Sequence, residues 1–212
     1  MTDKPRFSAL AADPVGRRER KRQQTADHIA DVAWSLFEAQ GFATVTMEAI
    51  AAAADVAKGT LYKHFPVKEA LLRHRFHGEL AAALPELLAD LAKLPSAAER
   101  LRGFLRVSAA WSEAHRAYLK DYIHFRLAET GALESRDPQQ RSGFDRIFQG
   151  FLAAGQATGE FRSDADAERL AHYLEFLQLA AVVRWLGDPV LRLDDEYGRM
   201  LDLFLNGLRS PQ

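Results

Sequence analysis

Hydrophobic residues recur at helical spacing along nearly the whole chain, and no segment alternates in the manner of a half-buried strand. The first such stripe runs from Ile29 to Phe37 and ends at Gly41, where we expect a left-handed backbone at the C′ position. Phe42 would then lie at C″ and contact Phe37. The pattern predicts an all-α protein of about nine helices.

Two short helices joined by a tight turn are predicted next. Thr46 is a good N-cap, and Val45 and Ile50 are placed to form a hydrophobic staple. The second helix is expected at residues 58–64, and Pro66 ends it. A capped helix, a turn and a second helix form a helix-turn-helix, whose second helix enters the major groove of DNA.

The rest of the chain is predicted to form longer helices separated by breaks that contain proline, glycine and serine. Ser96 and Glu99 form a capping box at one of these helix starts, and Ser163 is a candidate N-cap at another. The expected helices cover residues 67–94 (with a bend at Pro85), 97–114, 116–129, 138–158, 164–187 and 194–208. We divide the chain into a disordered arm (1–16), a helix-turn-helix domain (17–66) and a larger helical domain (67–212).

The helix that contains residues 170–186 is apolar on nearly all sides. One face can pack on its own domain, but the last helix is too small to cover the other face. A four-helix interface between two subunits would cover it, and a central helix in a monomer core is the alternative. The predicted dimer-interface residues are Leu170, Tyr173, Leu174, Leu177, Ala181, Met200 and Phe204.

Composition argues against several classes of protein. The chain of 212 residues has no cysteine, which excludes disulfides, thiolate zinc sites and cysteine nucleophiles. It has no glycine-rich phosphate loop, HExxH or GxSxG motif, so an enzyme is not expected. His74 and His77 are three apart on one predicted helix, but without a third ligand they are expected to be solvated. We therefore predict no metal and no cofactor.

No membrane contact is predicted either. The first residues lack the apolar run of a signal peptide, and the most apolar later stretch, residues 170–186, carries four polar or charged side chains. A soluble, cytoplasmic protein is the expectation.

Charge is distributed unevenly along the chain. Residues 17–68 hold eight bases and six acids, whereas residues 69–212 hold 18 bases and 21 acids. A local basic patch attracts phosphate whatever the total charge, although a solvated, disordered arm is the alternative for the run RRERKR. The bases in this run are Arg17, Arg18, Arg20, Lys21 and Arg22.

The second short helix carries residue types that suit contact with DNA. Gly59 removes a side chain where the helix must approach DNA closely. Lys58 can reach a guanine edge or a phosphate, and Thr60 offers a hydroxyl and a methyl group to base edges. Three outward-facing residues suit phosphate contacts: Tyr62, Lys63 and His64.

The segment GFATVTMEAIAAAADVAKGTLYKHFPVKEALL resembles the DNA-binding signature of the TetR family of transcriptional regulators. The resemblance is close over residues 25–75, and beyond them it extends only to helix content and length. Two positions depart from the usual pattern, since Asp55 replaces a frequent glycine and Ala57 replaces a frequent serine or threonine. The DNA contacts that the resemblance implies are Thr46, Lys58, Gly59, Thr60, Tyr62, His64 and Lys68.

By the same resemblance, the chain would be a homodimeric repressor that a small-molecule effector releases from a palindromic operator on double-stranded DNA. The larger domain would dimerise and bind the effector. Ordinary core packing is the alternative for each aromatic residue there. An effector-independent or partner-controlled DNA-binding protein also remains open. The candidate pocket residues are Trp111, Tyr118, Tyr122, Phe125, Arg126, Phe148, His172 and Phe176.

Overall fold

The computed structural model describes residues 14–128 and 143–208. These residues form nine α-helices and no strand, which confirms the all-α prediction. The helices are α1 Pro14–Gln40, α2 Met47–Ala53, α3 Lys58–His64, α4 Glu69–Leu91, α5 Ala97–Ala114, α6 Arg116–Ala128, α7 Phe144–Ala157, α8 Ala167–Gly187 and α9 Leu193–Leu208.

Two compact units make up the chain, an N-terminal unit of Met1–Phe76 and a C-terminal unit of His77–Gln212. The boundary between them falls inside α4, later in the chain than the boundary we drew at residue 66. Phe76 explains the difference, because its ring packs edge-on against Trp34 of α1 with the centroids 6.1 Å apart. The first turns of α4 therefore belong with the N-terminal unit.

Helix α1 begins earlier than the sequence indicated. It starts at Pro14, so the last three residues of the predicted arm, 14–16, are helical, and residues 1–13 lie outside the described residues. The basic run from Arg17 to Arg22 is thus the exposed beginning of α1 rather than an arm that precedes it. A helical backbone holds these bases at fixed spacing.

The local signals at the start of the helix-turn-helix are confirmed. Gly41 has φ +82°, its N–H donates to the Phe37 carbonyl at 2.8 Å, and the Phe37 and Phe42 rings are 4.9 Å apart. The Thr46 hydroxyl accepts the N–H of Ala49 at 3.1 Å, as expected of an N-cap. Both staple residues are buried. These contacts fix the direction in which α2 leaves α1.

Several other helix ends differ from prediction. Helix α4 ends at Leu91, and Pro85 lies inside it. Helix α8 begins at Ala167 because Asp166, not Ser163, is its N-cap, with its carboxylate accepting the N–H of Arg169 at 3.3 Å. The predicted start of α7 at residue 138 lies outside the described residues. Capping by Ser96 at α5 is as expected.

The core of the C-terminal unit lies where α5, α7, α8 and α9 pack together. Phe104 of α5 contacts Phe148 and Phe151 of α7, with ring centroids 5.8 and 6.3 Å apart. Trp185 of α8 and Tyr197 of α9 are almost completely buried. Burial raises the pKa of the Tyr197 hydroxyl to about 12.

The face of α8 that we assigned to a dimer is partly wrong. Leu170, Leu174 and Ala181 are buried within their own unit, so they belong to its core. The exposed apolar stripe is the neighbouring one, which includes Tyr173 at 55% exposure and Leu177 at 41%. Hydrophobicity could not separate these faces, because both stripes are apolar and only the packing of α7 and α9 distinguishes them.

Candidate nucleic-acid interface

Helix α3 presents a polar face because its apolar residues are used inside the unit. Leu61 and the following Phe65 are buried, whereas Lys58, Gly59 and Tyr62 are exposed. A Cβ atom added to Gly59 would meet nothing within 4 Å. Packing within the chain therefore does not require glycine here, and the small residue leaves room for a partner outside the chain.

Lys58 forms only an exposed ion pair with α2. Its ammonium nitrogen is 3.7 Å from a carboxylate oxygen of Glu48, and both side chains are more than half exposed, at 66% and 53%. Such an ion pair contributes little and can exchange for a phosphate. Thr60 is half-buried, with its backbone N–H donating to the Ala57 carbonyl at 2.8 Å. Their roles as base contacts stay predictions.

The two basic segments meet in one depression, which we call the α1–α3 basic groove. It has a volume of about 320 Å³ and lies between the first turns of α1 and the end of α3. Its lining residues are Arg18, Lys21, Arg22, Thr25, Lys63 and His64. Since the sequence separates these segments by some forty positions, only the fold shows that they form a single cationic surface.

His64 is the histidine among the residues that line this groove. Partial burial is the main reason that its pKa lies below the ordinary value of 6.5, and the nearby Arg22, Lys63 and His74 lower the pKa further. All of these influences disfavour the imidazolium form. A phosphate in the groove would act in the opposite direction.

Lys68 has a different role from the DNA contact we predicted. Its ammonium group donates to the carbonyl oxygens of Phe42 and Val45, the latter at 2.9 Å, and a longer contact of 3.4 Å reaches Ala43. It also lies 4.3 Å from the centroid of the Phe42 ring. The lysine therefore satisfies the loop between α1 and α2, and this internal use leaves it poorly placed for phosphate.

The two departures from the family pattern, Asp55 and Ala57, both lie in the turn before α3. Asp55 has φ +52°, a left-handed conformation that glycine adopts without strain and that aspartate tolerates. Ala57 occupies the N-cap position of α3 and makes no side-chain hydrogen bond. The carbonyl of Ala54 at the end of α2 is 3.2 Å from His28 Nε2 of α1. That contact also holds the turn, and the sequence did not reveal it.

Contacts from α4 to α1 position the helix-turn-helix further. His74 Nε2 is 2.7 Å from a carboxylate oxygen of Asp27, and Arg75 donates to Asp31 at 2.9 Å. His77 Nε2 is 3.0 Å from the Tyr122 hydroxyl. The expectation of solvated histidines is therefore wrong, since each ring has a protein partner. The spacing of Asp27 and Asp31 by one helical turn was the available signal.

The predicted pocket residues are not all on one surface. Tyr122, Arg126 and Phe148 are buried, whereas Phe176 is 42% exposed and belongs to the outer stripe of α8. The half-buried members are Trp111, Tyr118, Phe125 and His172. Phe148 packs in the aromatic core of the unit, so an apolar helical pattern alone did not distinguish core from pocket.

Sequence reasoning missed the acidic partners in this unit. Trp111 Nε1 donates to Glu79 at 2.9 Å, and its ring stacks on His115 at a centroid distance of 4.2 Å. Arg126 lies 3.6 Å from Glu175, which is the one carboxylate between residues 170 and 186 of the sequence. A single acid among mainly apolar neighbours was the signal that would have identified a buried partner.

Neither a metal-binding cluster nor a membrane-spanning helix occurs among residues 14–128 and 143–208. Within these ranges no group of three or more His, Asp or Glu side chains could hold a metal ion. In the same part of the chain, no helix has the length and hydropathy needed to cross a bilayer.

Known proteins resemble the chain in its DNA-binding segment and along its length. A family model described as bacterial regulatory proteins of the tetR family matches residues 29–74. The chain is 28% identical over 194 residues to MftR of Mycobacterium tuberculosis, a transcriptional regulator named for mycofactocin biosynthesis, and covers 94% of it with 92% of its own length. Residues 29–74 form a DNA-binding domain of the TetR family.

Other relatives have related names. The repressor KstR2 of Rhodococcus jostii is 27% identical over 206 residues, with 95% of this chain and 97% of that protein covered. Among solved structures, the TetR-family repressor FadR of Thermus thermophilus, in complex with lauroyl-CoA, matches with a TM-score of 0.74 and 26% identity. That alignment covers 88% of this chain and 96% of FadR. The chain is a DNA-binding transcriptional regulator and not an enzyme.

Proposed function

We propose that this protein is a homodimeric repressor that binds a two-fold symmetric operator in the cytoplasm and is released by an acyl thioester. The observation that carries the proposal is the exposed polar face of α3 beside the α1–α3 basic groove. One α3 helix can read base edges while the groove holds the adjacent phosphates. The repressor names of relatives such as KstR2 support the direction of regulation.

Dimerisation is supported by the outer stripe of α8. Its exposed apolar residues are Tyr173, Phe176, Leu177 and Val183. Leu203 of α9 is 77% exposed as well. A second copy offers the same stripe, so a two-fold axis would bury both at once, as an isologous interface does. Met200 and Phe204, which are half-buried, stay predicted interface residues.

This interface has a direct test in solution. The charged variants Tyr173→Glu and Leu177→Glu should convert a dimer into a monomer in light scattering at micromolar concentration. Leu127→Glu, a change at an exposed leucine of α6, is the matched control and should leave the dimer intact. A wild-type protein that is monomeric would remove the basis for a two-fold operator.

Effector release is supported by the position of α4 in the chain. Residues 69–76 of this helix belong to the N-terminal unit and residues 77–91 to the C-terminal unit. The proposed effect of the ligand is a shift of α4 that changes the separation of the two α3 helices. In a dimer they must meet major grooves on the order of 34–36 Å apart, or a multiple of it. A coupling of roughly 1–3 kcal/mol would suffice for regulation.

The nature of the effector is proposed from FadR of Thermus thermophilus, whose structure contains lauroyl-CoA. Genomic footprinting with the purified protein would supply the operator. Lauroyl-CoA should then release that operator in a fluorescence anisotropy titration, whereas coenzyme A alone should not. Continued operator binding at saturating lauroyl-CoA would reject this effector class.

Base and phosphate contacts have their own test. The double variant Lys58→Ala, Tyr62→Ala should lose most of its operator affinity, because both side chains project from the exposed face of α3. Lys93→Ala is a suitable control, since Lys93 is 75% exposed and pairs with Asp90 in the C-terminal unit. Full affinity in the double variant would show that α3 is not the reading helix.

A further inference from the structure

A cavity of the C-terminal unit lies between α5 and α9, and we call it the α5–α9 cavity. Its volume is about 420 Å³, a size that is typical of sites for small molecules. The base of the cavity is formed by three buried residues, Leu105, Tyr197 and Leu201. Its rim carries three arginines and three aspartates, which the next paragraphs place one by one.

Contacts between α5 and α9 show that the two helices run antiparallel. Arg102, in the first half of α5, donates to Asp202, in the second half of α9, at 2.8 Å. At the other end of α5, the Glu113 carboxylate accepts the backbone N–H of Leu193, the first residue of α9, at 3.0 Å. A step forward along α5 is therefore matched by a step backward along α9.

Arg106 is a cation of the rim without a partner. It lies one turn after Arg102 on α5, so it is level with Gly198, one turn before Asp202 on α9. Glycine has no side chain that could pair with the guanidinium. The exposed Arg106 has neither an ion pair nor a side-chain hydrogen bond within residues 14–128 and 143–208. Its guanidinium is therefore available to an anion from outside the chain.

Two acids of the rim are unpaired as well. Asp194 and Asp195 lie in the first turn of α9. Neither forms an ion pair or a side-chain hydrogen bond with any residue that the structure describes. The third arginine of the rim, Arg199, pairs with Glu196 at 2.8 Å. The unpaired charges of the rim are thus one guanidinium and two carboxylates, about one helical turn apart.

Gly198 keeps the space between these charges open. It lies in the interior of α9, where glycine is unfavourable for a helix. A Cβ atom added to Gly198 would meet nothing within 4 Å, so packing of the described residues does not require glycine here. Because Gly198 lines the cavity, the space that a methyl group would take is open to a ligand.

We propose that the α5–α9 cavity binds a small zwitterion, with a carboxylate at one end of a short aliphatic chain and an ammonium group at the other. The carboxylate accepts from Arg106, and the ammonium group donates to Asp194 and Asp195. The aliphatic chain lies over the apolar base. Four residues separate Asp194 from Gly198, which is about 6 Å along the helix. The carbon chain of 5-aminopentanoate matches this separation.

Charge and shape favour this occupant over others. The charged side chains of the rim sum to no net charge, so a ligand with only one kind of charge would leave the opposite charges unpaired. A second copy in a two-fold contact would present the same concave surface, and two concave surfaces do not fill each other. The site is separate from the outer stripe of α8 and does not depend on the acyl thioester effector.

The test compares three probes on the wild-type protein by titration calorimetry: 5-aminopentanoate, pentanoate, which lacks the ammonium group, and pentylamine, which lacks the carboxylate. The zwitterion should bind about tenfold more tightly than either of the others, because each of them loses one charge-assisted contact. This comparison needs no variant. Equal binding of the three probes, or no binding of 5-aminopentanoate, would overturn the proposal.

The variant Gly198→Ala separates binding from folding. It should raise the melting temperature, because alanine favours a helix, and weaken binding of 5-aminopentanoate about tenfold, because the methyl group takes space from the ligand. Gly150→Ala is the matched control, since Gly150 is exposed inside α7 and its added Cβ would also meet nothing within 4 Å. It should keep the wild-type affinity. Unchanged affinity in Gly198→Ala, or a changed oligomeric state without the probe, would overturn the ligand site.

Charge variants assign the two ends of the ligand. Arg106→Gln should bind 5-aminopentanoate no better than pentylamine, because the carboxylate has lost its donor. The double variant Asp194→Asn, Asp195→Asn should bind it no better than pentanoate. Arg146→Gln, at an exposed arginine of α7, is the control and should keep the wild-type preference. A preference that persists in the charge variants would show that these residues do not hold the zwitterion.

Discussion

Replacement of Lys68 with methionine should destabilise the N-terminal unit without weakening the attraction of the protein for phosphate. The ammonium group donates to the carbonyls of Phe42 and Val45 and lies over the Phe42 ring. These carbonyls belong to the loop that sets the position of α2 against α1. Methionine keeps most of the aliphatic stem but leaves both carbonyl oxygens without this donor.

The magnitude follows from the interactions of the ammonium group. A hydrogen bond to a charged group contributes about 1.5–3 kcal/mol and a cation–π interaction about 0.5–1 kcal/mol. Lys68 is only half-buried, so water can replace part of these interactions in the variant. We therefore expect the free energy of unfolding of this unit to fall by about 2–3 kcal/mol, about half of the summed contributions.

The assay combines local stability with the salt dependence of operator binding. Hydrogen exchange of the amides around residues 42–50 should accelerate in Lys68→Met. The slope of log affinity against log salt should stay unchanged, whereas the control Lys63→Met should reduce it by about 0.9 for each phosphate that the variant no longer neutralises. A smaller slope in Lys68→Met with unchanged exchange would refute the structural role and restore the lysine as a phosphate ligand.

Three further predictions concern single residues. Asp55→Gly should raise the free energy of unfolding by about 0.5–1 kcal/mol in urea denaturation, because the φ of +52° at residue 55 suits glycine. A decrease would show that the aspartate side chain holds the turn. Operator affinity should increase as pH falls toward and below 6.5, because a phosphate would raise the depressed pKa of His64 and binding would take up a proton. The variant His64→Gln should abolish this pH dependence. An equal pH dependence in that variant would exclude His64 as its source. Glu160→Ala should lower the free energy of unfolding by about 1–3 kcal/mol. The wild-type carboxylate accepts hydrogen bonds from the backbone N–H groups of Ala97 and Ala98, at 2.7 and 2.9 Å, at the start of α5. Thermal melting identical to that of the exposed control Glu86→Ala would contradict this capping role.

Much of the helix-turn-helix could be predicted because its signals are local. Gly41, Thr46 and the staple residues act on neighbours within four or five positions, where helix geometry alone decides which groups meet. The exposed residues of α3 followed from the same periodicity, since Leu61 and Phe65 had to face inward. Direct DNA contacts by these residues remain predictions.

The C-terminal unit could be predicted less completely, because its candidate residues share one chemistry. Both stripes of α8 are apolar, and only the packing against α7 and α9 decides that Leu174 is core while Tyr173 is exposed. The same holds for aromatic residues such as Phe148. Periodicity finds the faces of a helix, but it does not say which neighbour covers each face.

The sequence by itself determined the order of the helices, the caps of α2 and α5 and the type of DNA-binding element, because these depend on interactions between residues close together in the chain. Only the tertiary structure decided the partners of single charged groups. Lys68 meets a loop more than twenty residues away, and Arg126 meets Glu175 on another helix. Charge on a helix surface is compatible with solvent, DNA or a buried partner, and the long-range packing of the chain selects one of them.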